Sequence, residues 1–168
     1  SVAESKTWVF DADAWMGPLG GSQLIRLADN VVLGSIDGHH DYALAQGEYR
    51  IVVAKTGYVG AYTFSSYPKP AAQQFDILIG QKVDNGTIGG LTVEGAGNLE
   101  TTSSRDEYSF TLVEPKTVMV DAAAWMGPMG GSRLVRLSDN AVLGTLDGHH
   151  EYQLSAGSYR IEVEKTGT

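Results

Sequence analysis

The chain comes close to repeating itself. Asp11-Ala-Asp-Ala-Trp-Met-Gly-Pro-Leu-Gly-Gly-Ser22 returns as Asp121-Ala-Ala-Ala-Trp-Met-Gly-Pro-Met-Gly-Gly-Ser132. The offset of 110 residues, from Trp15 to Trp125, holds without a gap, and 32 of the 48 positions in 10–57 are identical in 120–167. Solenoid repeats have periods of roughly 20 to 50 residues, so a period this long predicts whole domains in series. The 168 residues hold about one and a half such periods.

Two copies let the sequence report its own buried face, because a core position stays apolar in both while an exposed one drifts. In Tyr49-Arg-Ile-Val-Val-Ala54 and Tyr159-Arg-Ile-Glu-Val-Glu164 the first, third and fifth residues are unchanged, whereas Val52 and Ala54 become Glu162 and Glu164. A period of two predicts a half-buried strand with Tyr, Ile and Val inward. Gln23–Leu27 and Val31–Leu33 read as a hairpin around Ala28-Asp-Asn30, residues that tolerate turn conformations. Tyr62–Phe64 and Phe75–Ile79 read as further strands, with Ser65–Pro70 between them as a connection, since Pro68 and Pro70 cannot donate ladder hydrogen bonds. Asp106–Leu112 alternates cleanly, and Val118–Val120 follows. The Gly-, Asn- and Thr-rich stretch from Gly80 to Thr102 has weak apolar patterning, with Gly95–Asn98 as its most flexible point. The unit boundary is placed there, giving a first repeat unit over 1–93 and a second over 94–168.

Twenty-one glycines and eight tyrosines with short apolar runs predict an all-β protein, and 42% hydrophobic residues suffice for a core. The net charge of −8, with no Lys/Arg cluster, argues against nucleic acid and anionic membranes as partners. No apolar run approaches the roughly 20 residues of a membrane-spanning helix. Cysteine is absent, so no disulfide or thiol nucleophile is available. The first residues carry no basic, apolar signal pattern, so a secretion signal, if the parent protein is secreted, lies outside this chain.

The run Gly95-Ala-Gly-Asn-Leu-Glu100, then Arg105-Asp-Glu-Tyr-Ser-Phe-Thr111, then the Leu134-Val-Arg-Leu-Ser-Asp-Asn140 hairpin, then Leu154-Ser-Ala-Gly-Ser-Tyr-Arg-Ile-Glu-Val163 resembles the bacterial pre-peptidase C-terminal-like domain. That family shows a "D-x-Y-x-F" strand, an "L-x-L-x-D" hairpin and an "L-x-A-G-x-Y" strand in this order. The resemblance implies an antiparallel jelly-roll-like β-sandwich of roughly 100 residues, carried by secreted enzymes or in tandem within very large bacterial surface proteins. It places the protein outside the cell or on its surface, and the close internal copy favours the tandem setting. Some members bind calcium through acidic loop residues. Here Asp13 of the first copy becomes Ala123 in the second, so a site built on Asp11 and Asp13 differs between copies.

All four histidines fall in Asp37-Gly-His-His-Asp-Tyr42 and Asp147-Gly-His-His-Glu-Tyr152. A metal site is one reading of His39, His40, His149 and His150. Adjacent strand residues point to opposite faces, however, so the bland alternative is a loop entering a strand with one structural hydrogen bond. A histidine at an inter-module contact would also titrate near neutrality. Trp15-Met16 and Trp125-Met126 sit in Gly/Pro-rich loops and read as a cap on their own sandwich, a contact with a neighbouring copy, or a carbohydrate platform. Oxygen ligands for calcium are on offer at Asp29, Asp37, Asp41, Asp139, Asp147 and Glu151, without the loop spacing of an EF-hand, and turn chemistry accounts for most of them. Arg26, Arg50, Arg136 and Arg160 are expected to pair with carboxylates. No catalytic motif occurs, so no enzymatic activity and no required cofactor are predicted.

Aligned on the repeat, the first unit has no counterpart of Glu94–Phe110 and the second none of Val59–Val93. Either the chain is an excerpt of a longer array, or another chain completes each half by strand complementation, head to tail. The reading is a non-catalytic structural or adhesion repeat, a spacer or assembly unit whose partners are neighbouring copies. The alternative is a carbohydrate- or calcium-binding accessory module of a secreted hydrolase.

Overall fold

A computed structural model describes residues 1–12, 21–54, 61–101, 103–122, 131–146 and 148–164. Its regular elements are β-strands, with no α-helix among the described residues, arranged in several mainly antiparallel sheets. The chain divides into two compact units, the first Ser1–Lys69 and the second beginning at Pro70.

The first unit holds β1 (Lys6–Asp11), β2 (Gln23–Arg26), β3 (Val31–Ser35), β4 (His39–Leu44), β5 (Tyr49–Val52) and β6 (Ser65–Pro68). They form two three-stranded sheets, β4-β1-β6 and β3-β2-β5. Val2, Phe10, Leu24, Ile36 and Leu44 make the buried core, with Trp8, Tyr42, Tyr49 and Ile51 packed partly against it. The hairpin β2–β3 turns where the sequence places it. Asn30 takes φ 56°, and the Asp29 carboxylate accepts from the Val31 N–H at 3.3 Å, so the turn residues meet their own backbone needs.

The second unit holds β7 (Gln73–Asp76), β8 (Val83–Asp84), β9 (Thr87–Ile88), β10 (Leu91–Thr92), β11 (Arg105–Leu112), β12 (Lys116–Asp121), β13 (Arg133–Arg136), β14 (Ala141–Thr145), β15 (His149–Leu154) and β16 (Gly157–Glu164). A five-stranded sheet runs β14-β13-β16-β11-β7, with β7 parallel to β11. β12 pairs with β15, and β8–β10 form a small meander. One core cluster centres on Phe110, Leu134, Leu146 and Tyr159, and another on Ile88, Ala96, Tyr108 and Val163.

Shared registers mark both units. Lys6 faces Leu44 as Lys116 faces Leu154, and Asp11 faces His39 as Asp121 faces His149. Gln23 faces Val52 as Arg133 faces Glu162. Even the irregularity in the hairpin recurs, between Leu24 and Ile25 and between Leu134 and Val135.

Three expectations need correction. Ser65–Pro68 is a strand, not a connection, and Tyr62–Phe64 is not a strand. β6 lies at a sheet edge, where proline is tolerated, and the next residue, Lys69, donates its N–H to Thr7 O at 2.7 Å. Gly95–Asn98 is packed rather than loose. Ala96 is fully buried, the Gly97 N–H donates to the Tyr108 hydroxyl at 2.6 Å, and a Cβ on Gly97 would lie 2.9 Å from the Asp84 backbone. Gly95 and Gly97 serve close approach and positive φ. Apart from these, the repeat boundary drawn at 93/94 divides the sequence pattern, while the compact units divide at Lys69/Pro70, β7 joining the sheet of β11.

Candidate functional site

Trp15, Met16, Trp125, Met126 and Asp147 lie outside the described residues. The paired histidines open β4 and β15, and their side chains separate by strand alternation. His39 faces Asp11 across the ladder, its Nδ1 3.8 Å from the Asp11 carboxylate and its Nε2 3.6 Å from Asp41. Asp41 is held at 2.5 Å by Lys69, the residue that follows β6, so a row of charges crosses the sheet from β6 to β4. His40 lies on the other face, donates from Nε2 to the Asp37 carbonyl at 2.7 Å and stacks on Tyr42. His150 stacks on Tyr152 in the same way, with ring centroids 6.1 Å apart. Glu151 is exposed on β15 opposite Met119.

The remaining candidates do not converge with these. Asp29 pairs with Arg26 at 2.6 Å and Asp139 with Arg136 at 2.7 Å, each within its own hairpin turn. The Arg136 hydrogen bond, aided by the Ala141 N–H, lowers the Asp139 carboxyl to about 2. Among the described residues no group of three or more His, Cys, Asp or Glu is disposed to hold a metal ion.

What the sequence reading missed is a buried acidic ladder in the second unit. Glu107 and Glu162 are 3% and 2% exposed although both are charged residue types. Arg133 donates to Glu162 at 2.6 Å, Arg160 bonds Glu162 and reaches Glu107 at 3.3 Å, and Arg105 reaches Glu107 at 2.6 Å. Burial disfavours the Glu162 anion, yet hydrogen bonds from Arg133 and Arg160 outweigh it and hold the carboxyl below its usual range. Beside this ladder Asp106 is 1% exposed. Burial pushes its carboxyl up, against the 2.8 Å hydrogen bond it accepts from Tyr108. One signal was readable in the two copies: Gln23 and Val52 change together to Arg133 and Glu162, and the structure pairs them across strands in both units.

The same ladder shows how the units differ. β16 has β13 on one side and β11 on the other, whereas among the described residues β5 has β2 on one side and, along its other edge, only the isolated bridge Val2–Gly47. Val53 is 36% exposed where Val163 is 8%, and Arg50 is exposed with no ion pair among the described residues where Arg160 is paired. The difference runs the other way at the second sheet. β1 is flanked by β4 and β6, but among the described residues β12 pairs with β15 alone, and Met119 is 62% exposed where its counterpart Val9 is fully buried.

Fold and side chains together define an all-β protein whose two units share strand registers and leave different sheet edges open. No family model, curated protein or solved structure matches the chain.

Proposed function

We propose that the chain is a non-catalytic structural repeat of a large extracellular bacterial protein, a jelly-roll-like β-sandwich that serves as spacer and head-to-tail assembly unit. The observation that carries this reading is complementarity. Among the described residues each unit leaves open one edge that the other fills, β5 in the first and β12 in the second, while every shared register is kept. Open edges of this kind are what strand complementation uses, and proteins normally cover them. The absence of catalytic motifs in the sequence agrees with it. The extracellular setting rests on the resemblance of the Asp106-x-Tyr108-x-Phe110 strand and its companions to the pre-peptidase C-terminal-like pattern.

Analytical ultracentrifugation over a concentration series tests the assembly role, with mass rising with concentration as the expected result. A chain that stays monomeric at micromolar concentration removes that role. A glycan array separates the reading from a carbohydrate-binding accessory module: silence is expected, whereas binding abolished by Trp15→Ala or Trp125→Ala would replace the structural reading.

A further inference from the structure

We propose that the open edge of β5 is a strand-acceptor site, built for an extended segment with the side-chain pattern of Arg105–Phe110 that runs antiparallel to β5 and leads directly into Ser1–Val2. Val2 donates to Gly47 O at 2.8 Å and Gly47 donates back to Val2 O at 3.0 Å, a closed antiparallel pair. In the second unit the matching pair is Leu112 with Gly157, the last rung of the β11–β16 ladder. Val2, 7% exposed, thus sits where Leu112, 6% exposed, ends its strand.

That rung also fixes which backbone groups wait for a partner. Hydrogen-bonded pairs alternate along an antiparallel ladder, so Tyr49 and Ile51 follow Gly47 in pointing at the open edge. Glu48 confirms the phase, because its carbonyl accepts from Leu27 on the β2 side at 2.9 Å. Opposite Tyr159 and Ile161, the second unit places Phe110 and Tyr108, and opposite Val163 it places Asp106. Phe110 stacks on Tyr159 with centroids 5.5 Å apart and leaves Tyr159 1% exposed, whereas Tyr49 is only half-buried. Charge agrees with the apolar match. Glu107 of β11 meets Arg160, and the counterpart Arg50 is exposed without an ion pair among the described residues. An acidic residue next to two alternating aromatics is therefore the recognition pattern. A strand continuous with Ser1 is preferred over a detached one because Val2 already occupies the last rung, paired with Gly47.

The inference deepens the repeat-module reading and rests on it for the source of the donor strand. Its readout is local to β5, whereas that reading is judged by mass and glycan array, so the two fail separately. The experiment extends the whole chain ahead of Ser1 by Arg-Asp-Glu-Tyr-Ser-Phe and follows amide hydrogen exchange by NMR. The Tyr49 and Ile51 amides are expected to slow by roughly one to two orders of magnitude, the Arg50 amide to stay as it was, and the effect to weaken with Arg50→Glu. An extension with lysine at both aromatic places should protect nothing. Unchanged exchange at Tyr49 and Ile51, with the Leu24 and Leu134 amides still protected, overturns the proposal. Equal protection by the free hexapeptide overturns its in-line form.

Discussion

Arg50 and Arg160 occupy one place in the repeat and have opposite surroundings. Arg160 lies between two carboxylates that are themselves almost wholly buried, Glu107 and Glu162, whereas Arg50 is exposed and makes no ion pair among the described residues. Removing one partner from buried charges leaves the others undercompensated. Arg160→Met should therefore cost about 2–3 kcal/mol, with Arg105 and Arg133 keeping the loss from being larger. Arg50→Met should change stability by less than about 0.5 kcal/mol, as an exposed substitution. Urea denaturation of both variants decides this, and equal effects would refute the assigned difference. A second residue-scale expectation concerns acid. Asp139 has an ordinary value of 3.8 lowered to about 2, first by the Arg136 hydrogen bond and then by the Ala141 N–H. The unfolded chain binds the proton more readily, so this contribution to stability is complete above pH 3.8 and disappears as pH falls toward 2. A carboxyl titration by NMR should place Asp139 near 2, and Asp139→Asn should flatten the loss of melting temperature over that interval.

Elements differ in how plainly the residues announce them. β5 and β16 were legible as strands from their period of two, but not the face each residue takes: Val53, read as inward, is 36% exposed, and Glu162, read as outward, is 2% exposed. The β2–β3 and β13–β14 hairpins were legible because Asn30 and Asn140 adopt the positive φ their turns need. β11 was legible from its alternation. β6 was not, since Pro68 signals a connection unless its edge position is known, and that position depends on β1, 54 or more residues away in the chain. The two-residue strands β8, β9 and β10 carry no period at all. Of the candidate sites, the separation of His39 from His40 followed from strand alternation. The acidic ladder did not follow, because Glu162 reads as a solvent-facing residue until Arg133 and Arg160 are seen around it. The Gly95–Asn98 turn gives the sharpest element-scale test. Gly97 has φ 69°, and a Cβ there would press on the backbone of Asp84 at the end of β8. Gly97→Ala should cost about 1–2 kcal/mol from backbone conformation alone, and more if the turn withdraws from Tyr108. Loss of the 2.6 Å Gly97–Tyr108 hydrogen bond would appear as faster exchange of the Gly97 amide. An unchanged melting temperature would mean that the turn is as loose as its composition suggests.

For the molecule as a whole, the two units bring unequal resources to the same plan. Each buries a core of matched residues, Leu24 and Ile36 in one, Leu134 and Leu146 in the other. The second adds β11 and β7 to its larger sheet and gains the cluster of Ile88, Ala96, Tyr108 and Val163, with Phe75 stacked on Tyr108 at 5.1 Å. Among the described residues the first has three-stranded sheets only and leaves Tyr49 of β5 half-buried and Val53, just beyond it, exposed. Since apolar burial contributes roughly 25 cal/mol per Å², covering that edge favours the second unit. The first unit should therefore unfold at lower urea, in a separate step. Matched amides report the order without ambiguity of environment: native-state exchange at Leu24 should follow the weaker transition and exchange at Leu134 the stronger. Arg160→Met, which acts only on the second unit, should bring the transitions closer together. Simultaneous loss of both amides at one urea concentration would show instead that the two units unfold as a single cooperative body, and stability could then not be assigned to the edges of either one.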